Sequence, residues 1–239
     1  MNELMLCMEL VKAFKAIGRA AIPTVTATVQ LVQGNVIYLT TTPSTTANAF
    51  FGGELAVTSG AASGIRSAII GSAGNQIVIA GTFSGVYIPV EGDTVTLWGG
   101  PLSTAAVFFF EPESVAPQQG VPSPMYVTVN VMASKMVVTN MVKKMFASWF
   151  SFRRLYDIEV VVETPKISGT GTDPSSVRKA IMDLYVLKEQ VEVVCANFRF
   201  QEARRVLGDG DMTSTFVDLQ RTGGNWNRGA IIEFTLKMI

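Results

Sequence analysis

The chain has 239 residues, no histidine, two cysteines, and 19 basic residues against 19 acidic ones. A 48% apolar and 16% charged composition excludes a disordered polar chain and is enough to bury a sizeable core. Zero net charge speaks against a dedicated nucleic-acid binder, which needs a basic excess to neutralise phosphates, and it suits a chain built for self-association.

Residues 2–21 are predicted to form an amphipathic helix, with Leu4, Met8, Val11, Phe14 and Ile17 on one face and Gly18 and Pro23 at its end. Glu3 and Glu9 stand where a signal peptide would carry its basic and apolar regions, so none is expected. No apolar run approaches the ~20 residues of a membrane span.

Residues 22–107 change character, with four charges among them: Glu54, Arg66, Glu91 and Asp93. Short Val/Ile/Thr runs recur at 25–32, 36–41, 54–58, 65–70, 76–80 and 94–98, separated by Gly-Asn, Pro-Ser and Gly-Gly turns. Val25, Ala27, Val29 and Leu31 alternate with polar residues, the period of a half-buried strand. Such closely spaced strands predict a small all-β barrel or sandwich. Residues 108–124 hold Pro112, Pro117, Pro122 and Pro124 and read as an extended linker.

From Met125 onward charges are frequent. Val127, Val129 and Val131, then Tyr156, Ile158, Val160 and Val162, then Ala230, Ile232, Phe234, Leu236 and Met238 alternate with polar residues and predict three strands. Asp173 and Pro174 suit the N-cap and first turn of a helix with Val177, Ala180, Ile181, Leu184 and Leu187 as its stripe. Residues 192–212 are ambiguous, with Val193–Phe200 readable as a strand and Gln201–Leu207 as a helical turn. Thr213–Leu219 reads as a further strand.

Lack of histidine removes the commonest general base and metal ligand, and with it Ser-His-Asp and Cys-His chemistry. Cys7 and Cys195 make neither a disulfide framework nor a zinc site, and they fit a thiol-reducing compartment. Gly169-Thr-Gly171 lacks the spacing of a phosphate-binding loop, and Gly208-Asp-Gly-Asp211 lacks the ligand register of a calcium loop. Asp157, Glu159 and Glu163 fit the wet face of a strand. A carboxylate-only hydrolase would have to draw on Asp93 or Asp157. The expectation is therefore a non-enzyme with no cofactor and no metal.

One segment is distinctive. From Lys135 to Arg154 there are five bases and no acid: Lys135, Lys143, Lys144, Arg153 and Arg154, interleaved with Met136, Met141, Met145, Phe146, Trp149, Phe150 and Phe152. Met, Trp and Arg are enriched at protein interfaces, so a subunit-interface arm ranks ahead of a core hairpin, and DNA contact ranks third.

Taken in order, an N-terminal helix, the β-arm beginning at Tyr126–Val131, the strand Arg154–Val162, one helix over the sheet, and a closing strand introduced by Asn225-Trp-Asn-Arg228 resemble the tail-terminator or neck-terminator proteins of tailed bacteriophages. The match covers residues 1–21 and 125–239. The resemblance implies an α+β fold, an antiparallel sheet with packed helices, formed by residues 1–21 and 108–239 and carrying residues 22–107 as an inserted β domain. It implies a virion structural protein, assembled in the host cytoplasm and placed at the neck or tail. There a ring, hexameric in that family, would cap the tail tube and meet the head connector, with passive contact to DNA in the channel and none to membrane. Lys135, Lys143, Lys144, Met145, Phe146, Trp149, Arg153 and Arg154 would form the inter-subunit arm, and Trp226 and Arg228 a C-terminal interface. The alternatives are another neck, tail or baseplate protein, or a host-surface carbohydrate-binding module with Phe83, Tyr87 and Trp98 of the insert as its stacking platform.

Overall fold

A computed structural model describes residues 3–19, 22–109, 125–144, 147–164, 174–197, 205–207, 212–221 and 225–238. The expected α+β architecture is corrected: the chain is mostly β, with a closed six-stranded antiparallel barrel, a second sheet, and two α-helices among the described residues. The physical reason lies in the strand lengths. The β8–β9 ribbon, introduced below, and the closing strand are far longer than the alternating cores that announce them, and Arg205–Leu207 is a strand rather than a helical turn.

The barrel is built from β1 (Val25–Gln33), β2 (Val36–Leu39), β3 (Glu54–Val57), β4 (Arg66–Ala73), β5 (Gln76–Ile79) and β6 (Thr94–Trp98), closing in the order β1-β2-β5-β4-β3-β6. Closure removes the open edges that short strands would otherwise present. Val29, Ile37, Leu39, Leu55, Ile69, Ile77, Ile79, Val95 and Leu97 fill the interior, with the loop residue Phe50 fully buried among them. The β1 alternation breaks at a bulge between Val29 and Leu31, which turns Leu31 outward and packs Val32 against the core instead.

Asp93 is buried in the turn before β6, where Oδ2 accepts from the Val90 N–H at 2.9 Å. Gly60 lies against it: a Cβ there would stand 2.0 Å from Asp93 Oδ1, and its φ of +74° is one that side chains rarely adopt.

The second sheet contains β7 (Ala106–Phe109), β8 (Tyr126–Lys144), β9 (Ala147–Glu163), β10 (Arg205–Leu207), β11 (Thr213–Arg221) and β12 (Asn225–Met238). Its order is β10-β12-β9-β8-β7, and β11 pairs with β12 along the stretch that β10 leaves free. The β7–β8 pair is parallel, so this sheet is mixed rather than purely antiparallel.

Two helices cover one face of this sheet. From α1 (Glu3–Arg19), Leu6, Cys7, Leu10 and Phe14 are fully buried, whereas Leu4, Met5 and Met8 are about half exposed. Of the predicted stripe, Phe14 is buried and Val11 packs against the core, whereas Leu4 and Met8 turn outward. Both arcs of this helix are apolar, and docking selects the Leu6–Leu10–Phe14 arc. From α2 (Pro174–Asn197), Leu184, Leu187, Val191, Val194 and Cys195 join Tyr156, Ile158, Val160, Val162, Ile232, Phe234 and Leu236 in the same core. Val193–Asn197 is thus the last part of a helix, not a strand. The β-branched Val191, Val193 and Val194 favour a strand locally, and burial on two sides overrides that preference.

Candidate functional site

Two features of the molecule go beyond core packing. The first is the ribbon formed by β8 and β9. Pairing of β12 with β9 stops at Met238↔Arg154, and β7 pairs with β8 only over Tyr126–Val129. The β8–β9 ladder continues to Lys144↔Ala147. At ~3.3 Å per residue, roughly 25 Å of two-stranded ribbon extends past the sheet, with no flanking strand among the described residues. Two-stranded hairpins are marginal in water on their own.

Lys135 is exposed at the base of this arm, paired with Leu155. Arg154 and Arg153 stand opposite Met136 and Val137, Trp149 opposite Val142, and Lys143 and Lys144 opposite Ser148 and Ala147 at the far end. Met145 and Phe146 lie outside the described residues. The backbone therefore gathers six of the eight expected arm residues into one ribbon. Trp226 and Arg228 are elsewhere. On β12 they pair with Gln220 and Asp218 of β11, at the end of the sheet opposite the arm. The Arg228 backbone N–H donates to Thr164 Oγ1 at 3.3 Å, and its side chain lines a hollow of about 200 Å³ with Ile181, Tyr185, Phe216 and Val217. The Tyr185 and Phe216 rings meet there at 4.5 Å, with Lys188 Nζ 5.4 Å from the Phe216 ring.

The second feature is a polar seam between barrel and helix. One side of α2 faces the sheet, while Asp183, Val186, Gln190 and Val193 recur at steps of three and four on another side. Gln190, fully buried, donates through Nε2 to the carbonyls of Gly52 (2.7 Å) and Gly99 (2.9 Å), and its Oε1 accepts from the Leu102 N–H (3.0 Å). Glu189 accepts from the Ala68 N–H at 2.7 Å and the Ser67 hydroxyl at 3.1 Å. Burial pushes the Glu189 carboxyl above its ordinary range, against the pull of those two hydrogen bonds. Arg66 forms ion pairs with Glu54, which is wholly buried, and with Asp183 of the helix. Burial alone would lower the Arg66 pKa. Hydrogen bonds and charge from Glu54, then from Asp183, outweigh it and hold the guanidinium above the ordinary arginine value.

Sequence reasoning missed this seam, although a signal for it existed. Glu54 and Arg66 are two of only four charges in residues 22–107, and a charge kept in so neutral a stretch tends to have a specific partner.

Asp93 is engaged in its turn, and Asp157 accepts from Thr235 Oγ1 at 2.8 Å on an exposed strand face. Among the described residues no three His, Cys, Asp or Glu side chains are grouped to hold a metal ion, and no helix is long and apolar enough to cross a membrane. The three aromatics of the expected stacking platform differ in setting. Tyr87 is exposed in a short 3-10 turn, Phe83 packs against the barrel core, and Trp98 pairs with the buried Glu54 on the seam side. No protein-family model matches the chain, and no curated protein matches it.

Proposed function

We propose that this chain is a structural subunit that assembles with copies of itself, in the manner of a tail or neck terminator of a tailed-phage virion. The projecting β8–β9 arm carries the reading. It is a ribbon with five bases and no acid between Lys135 and Arg154, interleaved with Met, Phe and Trp, and past Arg154 it has no flanking strand among the described residues. The ordered resemblance to terminator proteins supplies the virion context. The mechanism is geometric: arm and receiving surface are different parts of the subunit, so the contact is head-to-tail and closes into a ring when the rotation permits. Such a ring would present one docking surface to a tail tube and another to a head connector.

The test is the mass of the purified chain by light scattering over a range of concentrations, together with addition of tail tubes and connectors. A ring-sized species that caps tubes is the expected result. A strict monomer that binds neither tube nor connector would overturn the proposal.

A further inference from the structure

Among the described residues, helices cover one face of the second sheet, and on the other Thr128 and Glu163 are buried at the end away from the arm while Asp157 and Glu233 nearer to it are exposed. That other face carries Asn130, Glu159 and Glu233 in one row across β8, β9 and β12, with Asp157 and Thr235 in the next. Glu159 and Glu233 stand directly opposite each other in the ladder. Like charges in that position repel and destabilise the pair. Asn130 Nδ2 donates to Glu159 Oε1 at 3.1 Å, and Thr235 Oγ1 donates to Asp157. Among the described residues, none of these three carboxylates has a cation within ion-pairing distance. Beside them a register shift between Val131 and Ala133 accompanies an outward-turned Met132, 64% exposed, at the rim of an open depression of about 280 Å³ shared with Asp157, Thr213 and Glu233.

We infer that this open acidic face receives the basic arm of a second copy of the chain. Charge chooses the occupant: among the described residues these three carboxylates have no cation within ion-pairing distance, and the arm beyond Lys135 carries Lys143, Lys144, Arg153 and Arg154 with no acid. Geometry makes the occupant a different molecule. The ribbon runs on from β9 in its own direction, and Ala147 at its far end is about 12 residues, or roughly 40 Å, along the strand from Glu159. A chain cannot lay the end of its own arm across the face from which that arm departs. Met132 adds a flexible apolar contact of the kind that adapts to irregular partners. This inference rests on the self-assembly proposed above and names the surface it uses.

A charge exchange tests it. D157K/E233K makes the face basic, and K143E/K144E makes the far end of the arm acidic. Asp157 and Glu233 are exposed, and unchanged circular dichroism and melting confirm that each variant folds. By sedimentation velocity, each variant alone is expected to associate at least ten-fold more weakly than the wild type. The 1:1 mixture is expected to associate again, because the basic arm of one then meets the acidic face of the other and the acidic arm meets the basic face. If the wild type associates but D157K/E233K does so equally well, or if the mixture stays apart, the docking face is wrong while self-assembly stands. If the wild type itself remains monomeric up to its solubility limit, both readings fail.

Discussion

Arg66 in the barrel and Asp183 in α2 form an ion pair across 117 positions of sequence. The same guanidinium holds Glu54, whose side chain has no exposure at all. Removing the cation would strand a buried carboxylate, so Arg66→Met is expected to cost about 3–5 kcal/mol. Asp183→Asn should cost only about 1 kcal/mol, because the Asp183 side chain is 23% exposed and water screens the pair. Urea denaturation of the two variants measures the difference. Equal losses would show that Glu54 does not depend on Arg66.

Gln190 satisfies three backbone groups that would otherwise be buried without partners. Gln190→Leu keeps the side-chain volume and leaves Gly52 O, Gly99 O and Leu102 N unpaired, an expected loss of about 3–5 kcal/mol. Gly100→Ala should be comparably damaging. Its φ of +65° resists a side chain, and the new Cβ would lie 2.7 Å from Gln190 Nε2 and 2.9 Å from Glu54 Cβ. Gly74→Ala is the control. It has a similar φ of +59° but open space around it, and should cost about 1–2 kcal/mol of backbone strain. Thermal melts that ranked the two glycine variants together would dismiss the packing argument.

Glu189 makes the seam sensitive to pH. Burial raises its carboxyl above the ordinary value of 4.5. A carboxyl that holds its proton more tightly when folded stabilises the fold fully below its unfolded pKa, and that contribution is lost as pH rises through the folded pKa. The wild type is therefore expected to lose stability relative to Glu189→Gln as pH rises above 4.5. Taking the difference between the two proteins cancels every contribution common to both. A difference that stays flat, or that grows in favour of the wild type with rising pH, would contradict the assignment.

The seam also bears on the Pro-rich segment 111–124, which lies outside the described residues. A protease site introduced there is expected to cut the backbone without separating the fragments, since α1 and β7 of the first stay docked on the sheet of the second and α2 holds the barrel through Asp183, Glu189 and Gln190. Co-elution of the fragments and a single unfolding transition are the predicted results. Separation of the two fragments would show that the seam, even together with α1 and β7, contributes little.

Much of the strand pattern was legible, because burial on one face imprints a period of two. Tyr156, Ile158, Val160 and Val162 alternate in sequence and are buried in the structure, and the same holds for Ala230, Ile232, Phe234 and Leu236. The helices were less legible. α1 offers two apolar arcs, and nothing local says which one docks. α2 is buried towards the sheet on one side and towards the barrel on another, so its apolar pattern is too broad for a single stripe and its β-branched end reads as a strand. The fold class failed for a related reason: the extent of β8, β9 and β12 is set by their pairing with one another, not by the short alternating cores that reveal them. The arm was visible as a run of bases and aromatics, whereas the acidic face opposed to it emerges only from the register Glu159↔Glu233.

The first and last strands of the barrel are neighbours: β1 pairs with β6 from Val25↔Leu97 to Thr28↔Thr94. The chain therefore enters and leaves this unit about one strand spacing apart, ~4.8 Å. In the language of gene architecture this is a graft point, where a cassette can be gained or lost without moving the ends of its host. Connectivity alone would let the barrel be deleted with a very short bridge. The host is no longer indifferent to its guest, however, because excision would leave Asp183, Glu189 and Gln190 with no partners from the barrel. A relative lacking the barrel should carry ordinary surface residues at those three positions, so the helix would preserve a record of whether the insertion ever took place.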